Sequence, residues 1–233
     1  MLIGDAESRD AVAVPALRDL LAPPVCLACG APGADLCGAC RRGLPWLGDP
    51  RCRRCGLPGT CRRCPAAALA FEAAWAPVAY AGSVQALVGA LKFRRARTAA
   101  EPMVAAMARA PRWLCGEAPV LVPVPTARAR ARSRGFDQAE TLAAGLAGRG
   151  VGAVEACLER AGPATRQLGA GRRERLAPGR IEVRLRTGAV VPPACVLVDD
   201  VHTTGATLDA CARTLRAGGA VRVVALTYAR ALP

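Results

Sequence analysis

Two adjacent carboxylates, Asp199 and Asp200, follow an apolar run, and a Thr203-Thr204-Gly205-Ala206-Thr207 turn comes just after them. Paired acids can accept hydrogen bonds from the two hydroxyls of a diol. A turn that opens a helix offers unpaired N–H groups and the positive end of the helix dipole, which suits a phosphate. Gly205 lets the backbone come close, and the threonine hydroxyls add donors. Together these residues ask for a ribose 5-phosphate, its phosphate at the turn and its 2′- and 3′-hydroxyls at the aspartates. Neither Asp200 nor Gly205 is expected in the apolar core. The plainer alternative is that the acids end a strand and Thr204 caps a helix. A strand, two acids and a turn meet by chance far more often than the full string of apolar strand, paired acids, Thr-Thr-Gly and Thr.

Of the chain's 12 cysteines, eight form four Cys-x2-Cys pairs: Cys26 and Cys29, Cys37 and Cys40, Cys52 and Cys55, Cys61 and Cys64. Each pair brings two thiolates within reach of one tetrahedral metal, so two pairs complete a four-thiolate site and the eight make two structural Zn2+ sites. Sequential pairing is preferred, and a cross-braced arrangement also fits the spacing. A secreted disulfide scaffold would spread its cysteines and show a signal peptide, and this chain does neither. Cys115, Cys157, Cys195 and Cys211 sit mostly in apolar segments and read as small core residues. Arg51, Arg53, Arg54, Arg62 and Arg63 crowd the second site, either as a nucleic-acid contact or as the surface of a purely structural module.

The elements that must position these groups follow from periodicity and punctuation. Helical spacing over 11–21 ends at Pro23 and Pro24. Residues 26–64 are too short and too punctuated to bury a core unaided, which puts a domain boundary near residue 66: a zinc-ribbon module over 1–66 and a second domain over 67–233. In that domain, strands are expected at 74–80, 120–124, 153–158, 194–198 and 221–226. Helices are expected at 83–91, 99–110, 136–146 and from Leu208 to Leu215, the last closed by Gly218 and Gly219. A polar, Arg- and Gly-rich stretch covers 162–187. Alternating strands and helices with continuous apolar strand cores predict an α/β fold around a Rossmann-like parallel sheet.

Composition narrows the partners. The hydrophobic fraction of 52% rules out wholesale disorder. No apolar run reaches the roughly 18 residues needed to span a bilayer, so no membrane insertion and a cytoplasmic location are expected. The formal net charge is +14, yet Lys92 is the only lysine among 32 lysines and arginines. An arginine-only excess fits coding bias as well as a phosphate-binding surface.

The segment Val196-Leu-Val-Asp-Asp-Val-His-Thr-Thr-Gly-Ala-Thr207 resembles the signature by which type I phosphoribosyltransferases bind phosphoribosyl pyrophosphate (PRPP). Three further segments are similar to the ComF family (ComFC, GntX-like) within that superfamily. They are Val122-Pro-Val-Pro125 with Arg134-Gly-Phe-Asp-Gln138, Thr165-Arg-Gln167 with Arg172, Arg173 and Arg175, and Leu91-Lys-Phe93. With the paired cysteines, the likeness covers nearly the whole chain. Asp137 stands where that family usually has Asn, Pro178 where an Asn commonly follows, and one residue fewer separates Thr165 from Gln167.

The resemblance implies a phosphoribosyltransferase-type fold that binds PRPP with Mg2+ through Asp199, Asp200, Thr203, Thr204, Gly205, Ala206 and Thr207. It makes the arginine-rich segment with Arg128, Arg132 and Arg134 a pyrophosphate loop, and the stretch with Gln167 and Arg172 a hood; solvated surface arginines are the alternative for both. Hypoxanthine-guanine-type relatives carry an Asp at the position of Thr203, so no catalytic base is assigned. His202, the only histidine, could titrate near neutrality, but its direction beside a turn is open. Three functions fit: an enzyme transferring phosphoribose to an acceptor that the sequence does not name, a non-catalytic PRPP or nucleotide sensor, and a DNA-handling factor of natural transformation. The last would meet single-stranded DNA or competence-machinery proteins, as the family's link to DNA uptake implies.

Overall fold

The structure, a computed structural model, describes residues 24–93, 96–126, 135–160 and 181–233. The helix expected over 11–21 lies outside them, as does 161–180.

The strands are β1 (Ala73–Trp75), β2 (Val78–Ala79), β3 (Val120–Pro123), β4 (Ala153–Val154), β5 (Leu158–Arg160), β6 (Val183–Leu185), β7 (Ala194–His202) and β8 (Arg222–Arg230). Six form one sheet in the order β1-β8-β7-β3-β4, with β2 also on β8. Every pairing in it is parallel, as continuous apolar strands require of a sheet covered on both faces. β5 and β6 form a separate antiparallel pair.

The helices are α1 (Gly38–Arg42), α2 (Ser83–Phe93), α3 (Ala100–Met107), α4 (Arg112–Cys115), α5 (Gln138–Gly148) and α6 (Ala206–Ala217). Strand alternation divides the core in two. Val196 and Val198 of β7, with Val224 and Leu226 of β8, pack against Leu87, Met103 and Leu142 from α2, α3 and α5. Cys195, Leu197, Val223 and Ala225 point the other way, onto Leu208, Cys211 and Leu215 of α6. Burial of a leucine-sized side chain contributes roughly 1.5–3 kcal/mol, so a core of Ala, Val and Leu suffices where aromatics are only 3%.

Several elements differ from the sequence expectation. The strand expected over 74–80 is split into β1 and β2 around Pro77, which has no N–H for the ladder. The one expected over 153–158 becomes β4 and the start of β5. β6 lies inside the polar stretch 162–187; its residues are half-buried or exposed, so no apolar run marks it. β7 does not end at Val198. It continues to His202, because β8 is as long and pairs with it up to His202 opposite Arg230. The acid pair is therefore part of the strand.

Candidate ligand cleft and metal centres

Chain connections diverge at the border between β3 and β7. β3 passes through α5 to β4 on one side, and β7 passes through α6, on the opposite face, to β8 on the other. In open α/β sheets such a switch point opens a crevice at the carboxyl ends of the strands, where ligands sit. Here the crevice is a cleft of about 590 Å3. Pairing of β3 with β7 stops at Pro123 opposite Val198, so the sheet parts just before the acids. Asp199, Asp200, Thr203 and Thr207 line the cleft from β7 and α6, Val124 to Thr126 from the end of β3, and Tyr80 and Lys92 from beyond β2 and from α2.

Asp200 is buried, 4% exposed, and its Oδ1 lies 2.8 Å from Lys92 Nζ. Its neighbour behaves differently. Burial, and next the charge of Asp200, push the Asp199 carboxyl up to about 8, while the Asp200 N–H and the Lys92 ammonium offset part of that rise. At neutral pH the pair holds a proton that a diol or a cation would displace. Lys92 was absent from the predicted site, yet a signal existed: the one lysine in a chain that otherwise uses arginine stands on the site's buried acid.

The turn puts its residues on three sides. Thr203 and Thr207 face the cleft, whereas Thr204 and Ala206 line a neighbouring groove with Asp209. Gly205 is buried and left-handed, with φ +83°. A Cβ there would meet Leu69 Cδ1 at 2.9 Å and His202 Nε2 at 3.0 Å. Gly205 and Asp200 therefore belong to the interior, contrary to expectation. The His202 ring is buried under the turn, edge-on to Phe71 at 5.7 Å between centroids. Burial and then the nearby Arg230 charge bring it down to about 4, so it stays neutral and packs rather than facing the cleft.

Arg128, Arg132, Arg134, Gln167 and Arg172 lie outside the described residues. Arg160 of β5 reaches the cleft instead, and also lines an adjoining cavity of about 810 Å3 with Asp137 and Arg186. Asp137 caps α5, its Oδ1 accepting from Ala139 N at 2.9 Å, while its Oδ2 accepts from Thr126 N at 3.0 Å. Both oxygens serve as acceptors, so an asparagine at this position would turn a donor toward one of these N–H groups.

The eight paired cysteines form two clusters, Cys26-Cys29-Cys37-Cys40 and Cys52-Cys55-Cys61-Cys64, each with its sulfurs within 4.8 Å of one another. Pairing is sequential. Sulfur separations of 3.7 Å (Cys29 to Cys37), 3.9 Å (Cys52 to Cys64) and 3.6 Å (Cys55 to Cys61) match the edge of a tetrahedron with Zn–S bonds of about 2.3 Å and are far from the disulfide length of roughly 2.05 Å. Burial resists ionisation of Cys26, but the N–H groups of Cys37, Cys29 and Ala28 bring it down to about 6, which favours a metal-ready thiolate. The two ribbons repeat one backbone pattern: Gly30 N donates to Cys26 O and Gly33 N to Pro24 O, as Gly56 N does to Cys52 O and Gly59 N to Pro50 O. Protein purified under reducing conditions is expected to hold about two zinc ions per chain by metal analysis; metal-free protein with oxidised cysteines would contradict this.

A separate concavity, about 400 Å3, gathers all three tryptophans, Trp46, Trp75 and Trp113. An arginine stacks on each: Arg109 on Trp46 at 4.8 Å, Arg51 on Trp75 at 5.3 Å and Arg53 on Trp113 at 4.9 Å.

Residues 17–69 match the double zinc ribbon domain family. The N-terminal module is thus a double zinc ribbon, attached to a mostly parallel α/β sheet. No curated protein matches the chain. Among solved structures, one described as the allosteric regulatory enzyme of purine biosynthesis is similar over 55% of this chain, at 22% identity and a TM-score of 0.37. The chain spans 25% of that enzyme's length. Among the described residues, no helix is long and apolar enough to cross a membrane.

Proposed function

We propose that the cleft at the β3–β7 border binds PRPP with Mg2+, and that the chain is a cytoplasmic ComF-family phosphoribosyltransferase that transfers phosphoribose to an acceptor. Residues 1–66 are then its zinc module and 67–233 its phosphoribosyltransferase-like domain. One observation carries the reading: the Lys92–Asp200 ion pair and Asp199 stand beside the Thr203–Thr207 turn at the carboxyl ends of parallel strands.

In this reading Asp199 and Asp200 accept from the ribose hydroxyls, and the N–H groups opening α6 hold the 5′-phosphate. Lys92 pairs with Asp200 at 2.8 Å and, with Arg160, offers positive charge toward the pyrophosphate. The donors of the cleft are carboxylate and hydroxyl oxygens, which suit Mg2+, an ion commonly held by one or two carboxylates together with substrate phosphates. When bound, Mg2+ supplies charge neutralisation on the departing pyrophosphate. Calorimetric titration tests the reading: PRPP should bind in the presence of Mg2+, weaken when the metal is chelated, and be displaced by ribose 5-phosphate. Absence of binding by the wild-type chain would contradict it.

The tryptophan–arginine groove favours a second role, contact with single-stranded DNA. Bases stack on exposed aromatic rings while arginines meet the phosphates, and Trp46 is 42% exposed. Binding of an oligothymidylate should then weaken steeply with salt, and a Trp46→Ala/Arg109→Ala double variant should lose affinity about tenfold or more. Affinity that ignores salt, or that survives the double substitution, would remove this role.

A further inference from the structure

The two zinc ribbons share a backbone pattern but are anchored differently. Cys26 packs into the core on the α2 and α3 face, whereas Cys55, 1% exposed, packs into the core beneath α6. From the second ribbon two arginine contacts run to the Thr203–Thr207 turn.

The first is Arg230, at the end of β8 and 6% exposed. Its Nε donates to Cys55 O at 2.9 Å, inside the metal knuckle. Its Nη1 donates to His202 O at 2.8 Å and Thr203 O at 2.5 Å. A trans peptide sets its N–H opposite its C=O. Holding the His202 and Thr203 carbonyls inward therefore turns the N–H groups of Thr203 and Thr204 away from the buried guanidinium, toward the exposed side of the turn. The second contact is Arg54, two residues beyond Cys52. It donates to Ala66 O, Ala67 O and Leu69 O at 2.9–3.0 Å, and Leu69 Cδ1 backs Gly205. Asp209 of α6 closes the circuit by accepting from Ala70 N at 2.6 Å.

We propose that the Cys52-Cys55-Cys61-Cys64 zinc site is a working part of the ligand cleft, with Arg230 as the positioning residue that transmits its geometry to the turn. With the four thiolates joined by zinc, the Cys55 carbonyl would keep its place and seat Arg230. Arg230 then presents the turn's N–H groups. The first ribbon has no such connection among the described residues. The inference rests on reading that turn as the phosphate site.

Hydrogen exchange at the Asp209 and Ala231 amides, which donate to Gly205 O at 2.8 Å and His202 O at 2.9 Å and so report on the two ends of the turn, tests the connection without any ligand, and titration of PRPP with Mg2+ tests its consequence. Cys61→Ser/Cys64→Ser should lower zinc from two ions to one, speed exchange at the turn at least tenfold, and weaken PRPP binding at least tenfold. Cys29→Ser/Cys40→Ser should also lose one zinc, with an effect on the turn at least tenfold smaller. Arg230→Met should reproduce the faster exchange while both zinc ions stay. Should Arg230→Met not fold, Arg54→Gln takes its place, with the same expectation for the turn. Equal effects from the two ribbons, or a two-zinc Arg230 or Arg54 variant with wild-type exchange, would overturn the proposal. If wild type binds no PRPP, the functional reading fails, and the exchange measurement alone decides the connection.

Discussion

Gly205→Val should abolish measurable PRPP binding in the presence of Mg2+ and should also lower the thermal midpoint of the free protein. Valine is β-branched, and a left-handed backbone costs such a residue on the order of 1–3 kcal/mol. Its Cβ would press on Leu69 and His202, both held by packing. Relief requires the turn to move outward, into the volume the phosphate would occupy. Each kcal/mol lost should lower the midpoint by roughly 2–4 °C in a chain of this size. Gly205→Ala carries the same φ penalty with less bulk and should fall between. Calorimetry and thermal melts on the three proteins check this. Wild-type affinity in Gly205→Val would separate the turn from ligand binding.

Asp200→Asn should weaken PRPP binding by about 1.5–3 kcal/mol, the range for a hydrogen bond to a charged group, or roughly tenfold to a hundredfold. Its effect on pH dependence is more specific. In the free wild-type chain the Asp199 carboxyl titrates near 8, and a diol or Mg2+ prefers it ionised. Binding should therefore release a proton to the buffer, and affinity should climb as pH rises toward about 8. Folding responds in the opposite sense. The native carboxyl keeps its proton above the ordinary value of 3.8, so its contribution to stability is full below that value and fades as pH rises toward 8. Asparagine at 200 removes the neighbouring charge, the second cause of the rise, so proton release at pH 7 should shrink. Titrations in two buffers of different ionisation enthalpy read the proton count directly. Equal proton release in wild type and variant would show that the two acids are not coupled.

Local chemistry was legible in the sequence; long-range placement was not. Four Cys-x2-Cys pairs announce two metal sites because two thiolates three residues apart can meet one ion without help from the rest of the fold. Pairing was settled only by the folded ribbons. The parallel sheet was readable from apolar runs such as Ala194 to Val198, but β7 reached His202 because β8 continues beside it, a fact of register rather than of local pattern. Asp200 was not expected in the interior for the same reason; it is buried within β7, and its partner Lys92 stands 108 positions earlier in the chain. Arg230 carries no local signal at all, being one arginine among many until β8 delivers it beneath the turn. The three tryptophans, scattered in sequence, meet only where the ribbon folds against the sheet.

A crystal structure of the chain soaked with PRPP and Mg2+ tests ligand binding at the cleft most directly. The 5′-phosphate should lie on the N–H groups of the Thr203–Thr207 turn, the ribose hydroxyls against Asp199 and Asp200, and the pyrophosphate toward Lys92 and Arg160. Density for PRPP elsewhere on the molecule, or an empty cleft at saturating ligand, would contradict the account.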